Sequence, residues 1–235
     1  MLDACMKAAL LLVVFCVRAP SQSVPRVTLI YTEPDGSAFD LACLGFLKTS
    51  VDPDEHKRNI AETVRRLPDL QRLWDNDGML FLKTAMREVG LAYPHGEVQA
   101  NLTACPGVPI GISAPLLVNV RPFLSTATAR LPDSHFSLIL FHELMHTYIL
   151  PVRSRSELRS KKYASEPPGV RVHLHVMALE KFALTKLGRE QLLKDLDDRH
   201  RNVAAPAAYK RAWEIVASEG HEAFIRELKQ ASQAR

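Results

Sequence analysis

Ser137-Leu138-Ile139-Leu140-Phe141-His142-Glu143-Leu144-Met145-His146-Thr147-Tyr148-Ile149-Leu150 carries no charge except Glu143. A helix that is apolar on all sides is a buried helix. His142 and His146 stand four residues apart, so on a helix both imidazoles project from one face, about a turn from each other. Burying two imidazoles and a carboxylate is costly unless they are paired or ligate a metal. Both imidazoles can reach one tetrahedral ion, and Glu143 beside them can take a proton from a water. The alternative is a structural one, with core histidines bonded to backbone carbonyls and Glu143 paired to an arginine. Asp133 precedes the stretch as its expected N-cap.

The pattern His142-Glu143-Leu144-Met145-His146, with uncharged residues between and around the histidines, resembles the zincin metallopeptidases. One branch of that family continues H-x-x-G-x-x-H after the motif. Here Thr147-Tyr148-Ile149-Leu150-Pro151-Val152 follows, with neither glycine nor histidine in those places. The gluzincin branch takes a glutamate from a later helix, and the segment Val170 to Leu184 fits that place. The Pro167-Pro168 pair and Gly169 mark its start and Gly188 its end. His173, Met177, Glu180 and Leu184 recur at i, i+4, i+7 and i+11 and share one face. Glu180 is the third zinc ligand that the resemblance implies, beside His142 and His146. His173 is either a ligand in its place or a donor to the oxyanion. His175 lies on a different face of a regular helix and is the other candidate for the catalytic set with Glu143 and His173. Many gluzincins carry an aspartate one turn after the ligand glutamate, to orient the first histidine. Leu184 stands there in this chain, so the orienting group has to come from elsewhere. Glu157 and Glu166, in the polar loop from Arg153 to Pro168, are weaker ligand candidates. Tyr148 and Tyr163 are further oxyanion donors to consider, Tyr148 being expected in the core and Tyr163 exposed.

The resemblance implies a Zn2+ cofactor, a peptide or protein substrate, and amide hydrolysis by metal-activated water with Glu143 as general base. Two other readings stay open. One is a non-catalytic exported domain whose His/Glu cluster, with or without metal, ties two helices together. The other is a zinc amidase acting on a non-peptide amide such as a cell-wall linkage.

Lys7 precedes the apolar run Ala8 to Val17, too short to span a bilayer and suited to a signal-peptide core. Cleavage is expected after Ser23, or after Ala19, giving a secreted or periplasmic protein with no stable membrane insertion. Residues 1–23 are then the signal peptide and 24–235 one zincin-like domain. Its N-terminal lobe spans about 24–132, and its active-site and helical part 133–235. Cys43 and Cys105 remain, an even pair that suggests one disulfide in an exported chain. Asn101-Leu102-Thr103 matches a glycosylation acceptor. The formal net charge of +4 is modest. Its densest cluster, Arg153, Arg155, Arg159, Lys161 and Lys162, reads as a solvated loop that can also attract acidic substrates. Nothing interleaves aromatics with basic residues as a nucleic-acid surface does, so no nucleic-acid partner is expected. A monomer is expected.

The periodicity predicts strands over 27–31, 97–103 and within 110–120, and helices over 54–67 and 78–89. Beyond Asp133 everything substantial reads as helical, including amphipathic helices over 207–216 and 219–228. The fold class is α+β: a small N-terminal mixed sheet with helices, the motif helix, and a helical C-terminal half. In zincins a sheet edge strand runs beside the motif helix and binds an extended peptide, a place that residues 118–123 are expected to supply.

Overall fold

The computed structural model describes residues 23–31, 38–40, 52–201 and 206–234. The expected signal peptide and Cys43 lie outside them, apart from Ser23. The architecture is α+β. A four-stranded mixed sheet is built from β1 (Arg26–Ile30), β2 (Glu97–Thr103), β3 (Gly111–Ser113) and β4 (Leu116–Asn119). Its order is β1-β2-β4-β3, with β1, β2 and β4 parallel and β3 antiparallel to β4. Parallel neighbours need a crossover, and between β1 and β2 it is made by α1 (Pro53–Leu73) and α2 (Met79–Val89).

Helix α1 runs further than its sequence predicts. The periodicity predicts a helix over 54–67, yet it continues through Pro68 to Leu73 and passes through a single π turn, Trp74–Gly78, into α2. An internal proline costs about 3 kcal/mol. The gain on the other side is the burial of Leu70 and Trp74, both fully enclosed, at about 1.5–3 kcal/mol for a large apolar side chain. Gly78 is needed at this bend, because a Cβ there would sit 2.0 Å from Trp74 Cε3.

The regular elements described in the second half are helices: α3 (Ser134–Tyr148), the short α4 (Leu150–Arg153), α5 (Pro168–Lys186), α6 (Glu190–Arg201), α7 (Ala207–Glu219) and α8 (His221–Gln233). Helix α3 is buried along its length except at Ser134, His146 and Thr147, as its uniformly apolar sequence requires. It packs on β3 and β4 on one side and on α5 on the other. Phe141 meets Phe81 of α2 at 5.8 Å, and Phe136 meets Phe123 edge-on at 5.9 Å. Asp133 precedes α3 but makes no side-chain cap. Its carboxylate pairs instead with the buried Arg66 at 2.7 Å. Pro168 opens α5 in the first turn, where a missing N–H costs nothing, and Gly188 follows its end at φ +65°.

Tyr163 departs from its expected exposure. It is 8 % exposed and stacks on Phe224 of α8 at 6.2 Å. Asn101 lies inside β2 between β1 and β4, and its amide donates to the Leu116 carbonyl at 3.3 Å, which makes it a strand residue and not an exposed glycosylation loop. Cys105 is disulfide-bonded. Among the described residues no helix is long and apolar enough to cross a membrane.

One carboxylate of α8 gathers three donors from the rest of the helical half. Glu227 accepts from His175 Nε2 at 2.6 Å, Ser156 Oγ at 2.7 Å and the Leu158 amide at 2.8 Å. His175 faces α8, packing edge-on against Phe224, and lies outside the group formed by His142, His146 and His173. Burial alone would raise the Glu227 carboxyl, but the hydrogen bonds from His175, Leu158 and Ser156 outweigh it and hold it below its ordinary value. A lowered carboxyl pKa contributes stability that is complete above the unfolded value, about 4.3, and is lost as pH falls through the lower folded value. Glu227→Ala leaves three donors without their acceptor and is expected to cost about 2–4 kcal/mol at pH 7. Urea unfolding should show that gap between wild type and variant narrowing below about pH 4.

Candidate metal centre and active site

Helices α3 and α5 bring three imidazoles together. His142 and His146 come from one face of α3, and His173 comes from the first turns of α5. Ring centroids lie 5.0 Å apart for His142 and His146, 5.4 Å for His142 and His173, and 4.9 Å for His146 and His173. One nitrogen from each lies within 4.8 Å of the others, a group that could hold a metal ion. The three rings form a nearly equilateral triangle, as three ligands of one ion would.

The partners of these rings set their tautomers. His142 Nδ1 lies 3.1 Å from Glu180 Oε1, and His173 Nδ1 lies 2.6 Å from the Gly169 carbonyl. Each Nδ1 donates outward, which leaves Nε2 with a lone pair. His142 Nε2 and His146 Nε2 are 3.3 Å apart. Two nitrogens bound at about 2.0–2.1 Å to one tetrahedral ion are separated by about 3.3–3.4 Å, so the pair is already at the spacing that an ion requires. The group therefore fits a metal by donor type and distance, with the ring orientation of His142 and His173 fixed by their Nδ1 partners.

Glu180 takes a different place from the one expected. It is absent from the ligand group and sits behind His142, on Nδ1. The reason is helix geometry: His173 and Glu180 are seven residues apart on α5, about 10 Å along the axis. The His142 ring lies between them, its Nε2 turned toward His146 and its Nδ1 toward Glu180. Glu180 thus supplies the orienting carboxylate that Leu184 could not. Among the weaker candidates, Glu157 pairs with Lys161 and Glu166 with Arg211 on the surface.

Charge follows from these positions. Burial, followed by His142, His173 and Arg153, pushes His146 down to about 2. Burial and the neighbouring His142 push His173 down to about 4. Both are neutral at pH 7 and free to ligate. Burial opposes the charged form of His142, but the Glu180 and Glu143 carboxylates outweigh it and raise its pKa. Glu143 is itself raised, first by burial and then by the charge of Glu180, with His142 opposing. A carboxyl raised above its ordinary value is better suited to take up a proton than a free one.

Glu143 lies against β3. A Cβ built on Gly111 would meet Glu143 Oε1 at 2.4 Å, Cγ at 2.8 Å and Cδ at 2.9 Å. Only glycine lets this carboxylate lie against the strand. Two cavities meet there. One, of about 630 Å³, is walled by Ile110, Leu138, Ile139, Leu196 and Pro206. The other, of about 400 Å³, is bordered by β3, His146, His173 and Arg153. Gly111, Glu143 and Tyr209 border both. The Tyr209 ring stacks on His142 at 5.6 Å and packs on His173 at 4.1 Å. Its hydroxyl is held well above the usual phenol range by burial and by Glu143 and Glu180, so it stays protonated. The chain matches no protein-family model, and no curated protein or solved structure matches it either. The site therefore has to be read from its own geometry.

The edge strand beside the motif helix is β3. Residues 118 and 119 lie in β4, which is paired on both sides, and Arg121–Phe123 is a 3₁₀ turn. Tyr148 is buried and donates to the Leu91 carbonyl at 3.0 Å, outside the site. Sequence reasoning missed Tyr209, Gly111, Arg199 and His200. Pro206, three residues ahead of Tyr209, signals a helix start, but nothing in the spacing points that helix at the histidines. Gly111→Ala is expected to displace the Glu143 carboxylate and to leave the three imidazoles in place; a crystal structure of the variant checks both halves.

Proposed function

We propose that this chain is an exported zinc peptidase, in which His142, His146 and His173 hold the ion and Glu143 is the general base. The observation that carries this reading is the position of Glu143. It is a buried carboxylate beside three inward-facing imidazoles, lying at the junction of two cavities and against an edge strand. Three imidazole nitrogens, with His142 giving up its proton when the ion binds, suit zinc and leave a fourth position open. When bound, zinc would supply Lewis acidity toward a substrate carbonyl and a lowered pKa for a water.

The residues of the chain divide the remaining work. An extended substrate adds to the free edge of β3, which fixes the scissile carbonyl beside Glu143. Glu143 takes a proton from the attacking water, whose oxygen bonds to the carbonyl carbon. It then gives that proton to the amide nitrogen as the C–N bond breaks. Tyr209, kept protonated, donates a hydrogen bond to the developing oxyanion. Glu180 and the Gly169 carbonyl hold the His142 and His173 rings in register. Export is supported by the apolar run from Ala8 to Val17 and by a disulfide at Cys105.

Removing the metal with a chelator should abolish cleavage of a mixed peptide library, and a stoichiometric addition of zinc should restore it. Cleavage that persists in a protein shown to be metal-free would contradict the proposal.

A further inference from the structure

The 630 Å³ cavity beside Glu143 is apolar along its walls but not at every point of its lining. Glu180, Arg199 and His200 also border it. Glu180 and His200 are 1 % and 6 % exposed. Glu180 Oε2, Arg199 Nη2 and His200 Nε2 are each buried without a hydrogen-bond partner. Leaving a buried polar atom unpaired is costly, more so for a charged group, and three such atoms on residues that line one cavity beside Glu143 favour a ligand that pairs them. Glu180 Oε2 needs a donor, and Arg199 Nη2 needs an acceptor. Glu180 favours the charged form of Arg199, but neither Arg199 Nη2 nor Glu180 Oε2 has a hydrogen-bond partner.

Charge narrows the ligand. An anionic tip would satisfy Arg199 but face the Glu180 carboxylate. A cationic tip would satisfy Glu180 but face the guanidinium. Inside apolar walls neither repulsion is screened by solvent. A neutral group that both donates and accepts meets both needs. We infer that this cavity is the specificity pocket next to the scissile bond, and that it takes a long side chain, apolar along its length and ending in a phenol or a carboxamide. Leu138, Ile139 and Leu196 grip the stem, and Arg199 with Glu180 reads the tip.

This rests on the peptidase reading for its placement beside the scissile bond, but its test does not need turnover. Ligand-observed NMR on the zinc-loaded protein would compare toluene, p-cresol, p-toluamide and p-toluenesulfonate, which share one body and differ in the tip. The neutral polar tips should bind at least about tenfold tighter than toluene and than the sulfonate, although toluene is the most apolar of the four. Arg199→Met should erase that preference and leave toluene binding unchanged, which separates pocket recognition from a phenolate on the metal. Arg199→Lys, which keeps the charge but not the fork, is the substitute where the methionine variant does not fold, and it should lose most of the preference. Toluene or the sulfonate binding as tightly as p-cresol and p-toluamide, or a preference that survives both variants, would overturn the inference. Tip selectivity without peptide cleavage would keep the pocket and remove the peptidase; cleavage without tip selectivity would do the reverse.

Discussion

Glu143→Gln is expected to keep zinc at the wild-type level and to lower peptide cleavage by about 10²–10⁴-fold, the range for loss of a positioned general base. The two effects separate because Glu143 stands beside the imidazoles and is not one of the three inward nitrogens. Glutamine preserves the volume against Gly111, where the carboxylate meets the strand, but it cannot accept and return a proton. The loss should fall on kcat more than on KM, because substrate binding along β3 and in the two cavities does not use the charge. Loss of zinc together with activity would instead make Glu143 a structural partner of the histidines.

The second large effect separates His173 from Glu180. His173→Ala removes one of three inward nitrogens and is expected to abolish tight zinc binding. Glu180→Gln removes the charge behind His142 and is expected to weaken zinc by about 10–100-fold, as changes to the group that orients a ligand do. The order of the two affinities decides which residue touches the ion. The reverse order, with Glu180→Gln the more damaging, would return the third ligand to the carboxylate. Equilibrium competition with a chromogenic chelator measures both variants on one scale.

The motif helix was legible from its sequence because two strong signals coincide there. The apolar run from Ser137 to Leu150 requires burial, and a four-residue histidine spacing puts both rings on one face. The α5 helix was legible at both ends, by Pro168 and Gly188, and so was the shared face of His173 and Glu180. Which of the two reaches the ion was not legible, because periodicity fixes the face of a residue and not its distance along the axis from a partner helix. His175 was one position too attractive: its face meets α8, and Glu227, which claims it, lies 52 residues away in sequence. The predicted helix over 54–67 ended short for a related reason, since the burial of Trp74 that accompanies the continuation of α1 past Pro68 is a tertiary effect. Gly111 could be read as part of a β-rich segment, but its need to be glycine depends on a carboxylate from another element.

X-ray absorption at the zinc edge of the loaded protein tests the central claim most directly. The account predicts one ion per chain with three imidazole nitrogens at about 2.0–2.1 Å and one light solvent ligand, and no tightly held zinc in His173→Ala; any ion that variant takes up at excess zinc has at most two imidazoles. A protein that binds no ion, or one whose ion keeps two imidazoles and a carboxylate in wild type and in His173→Ala alike, would contradict it.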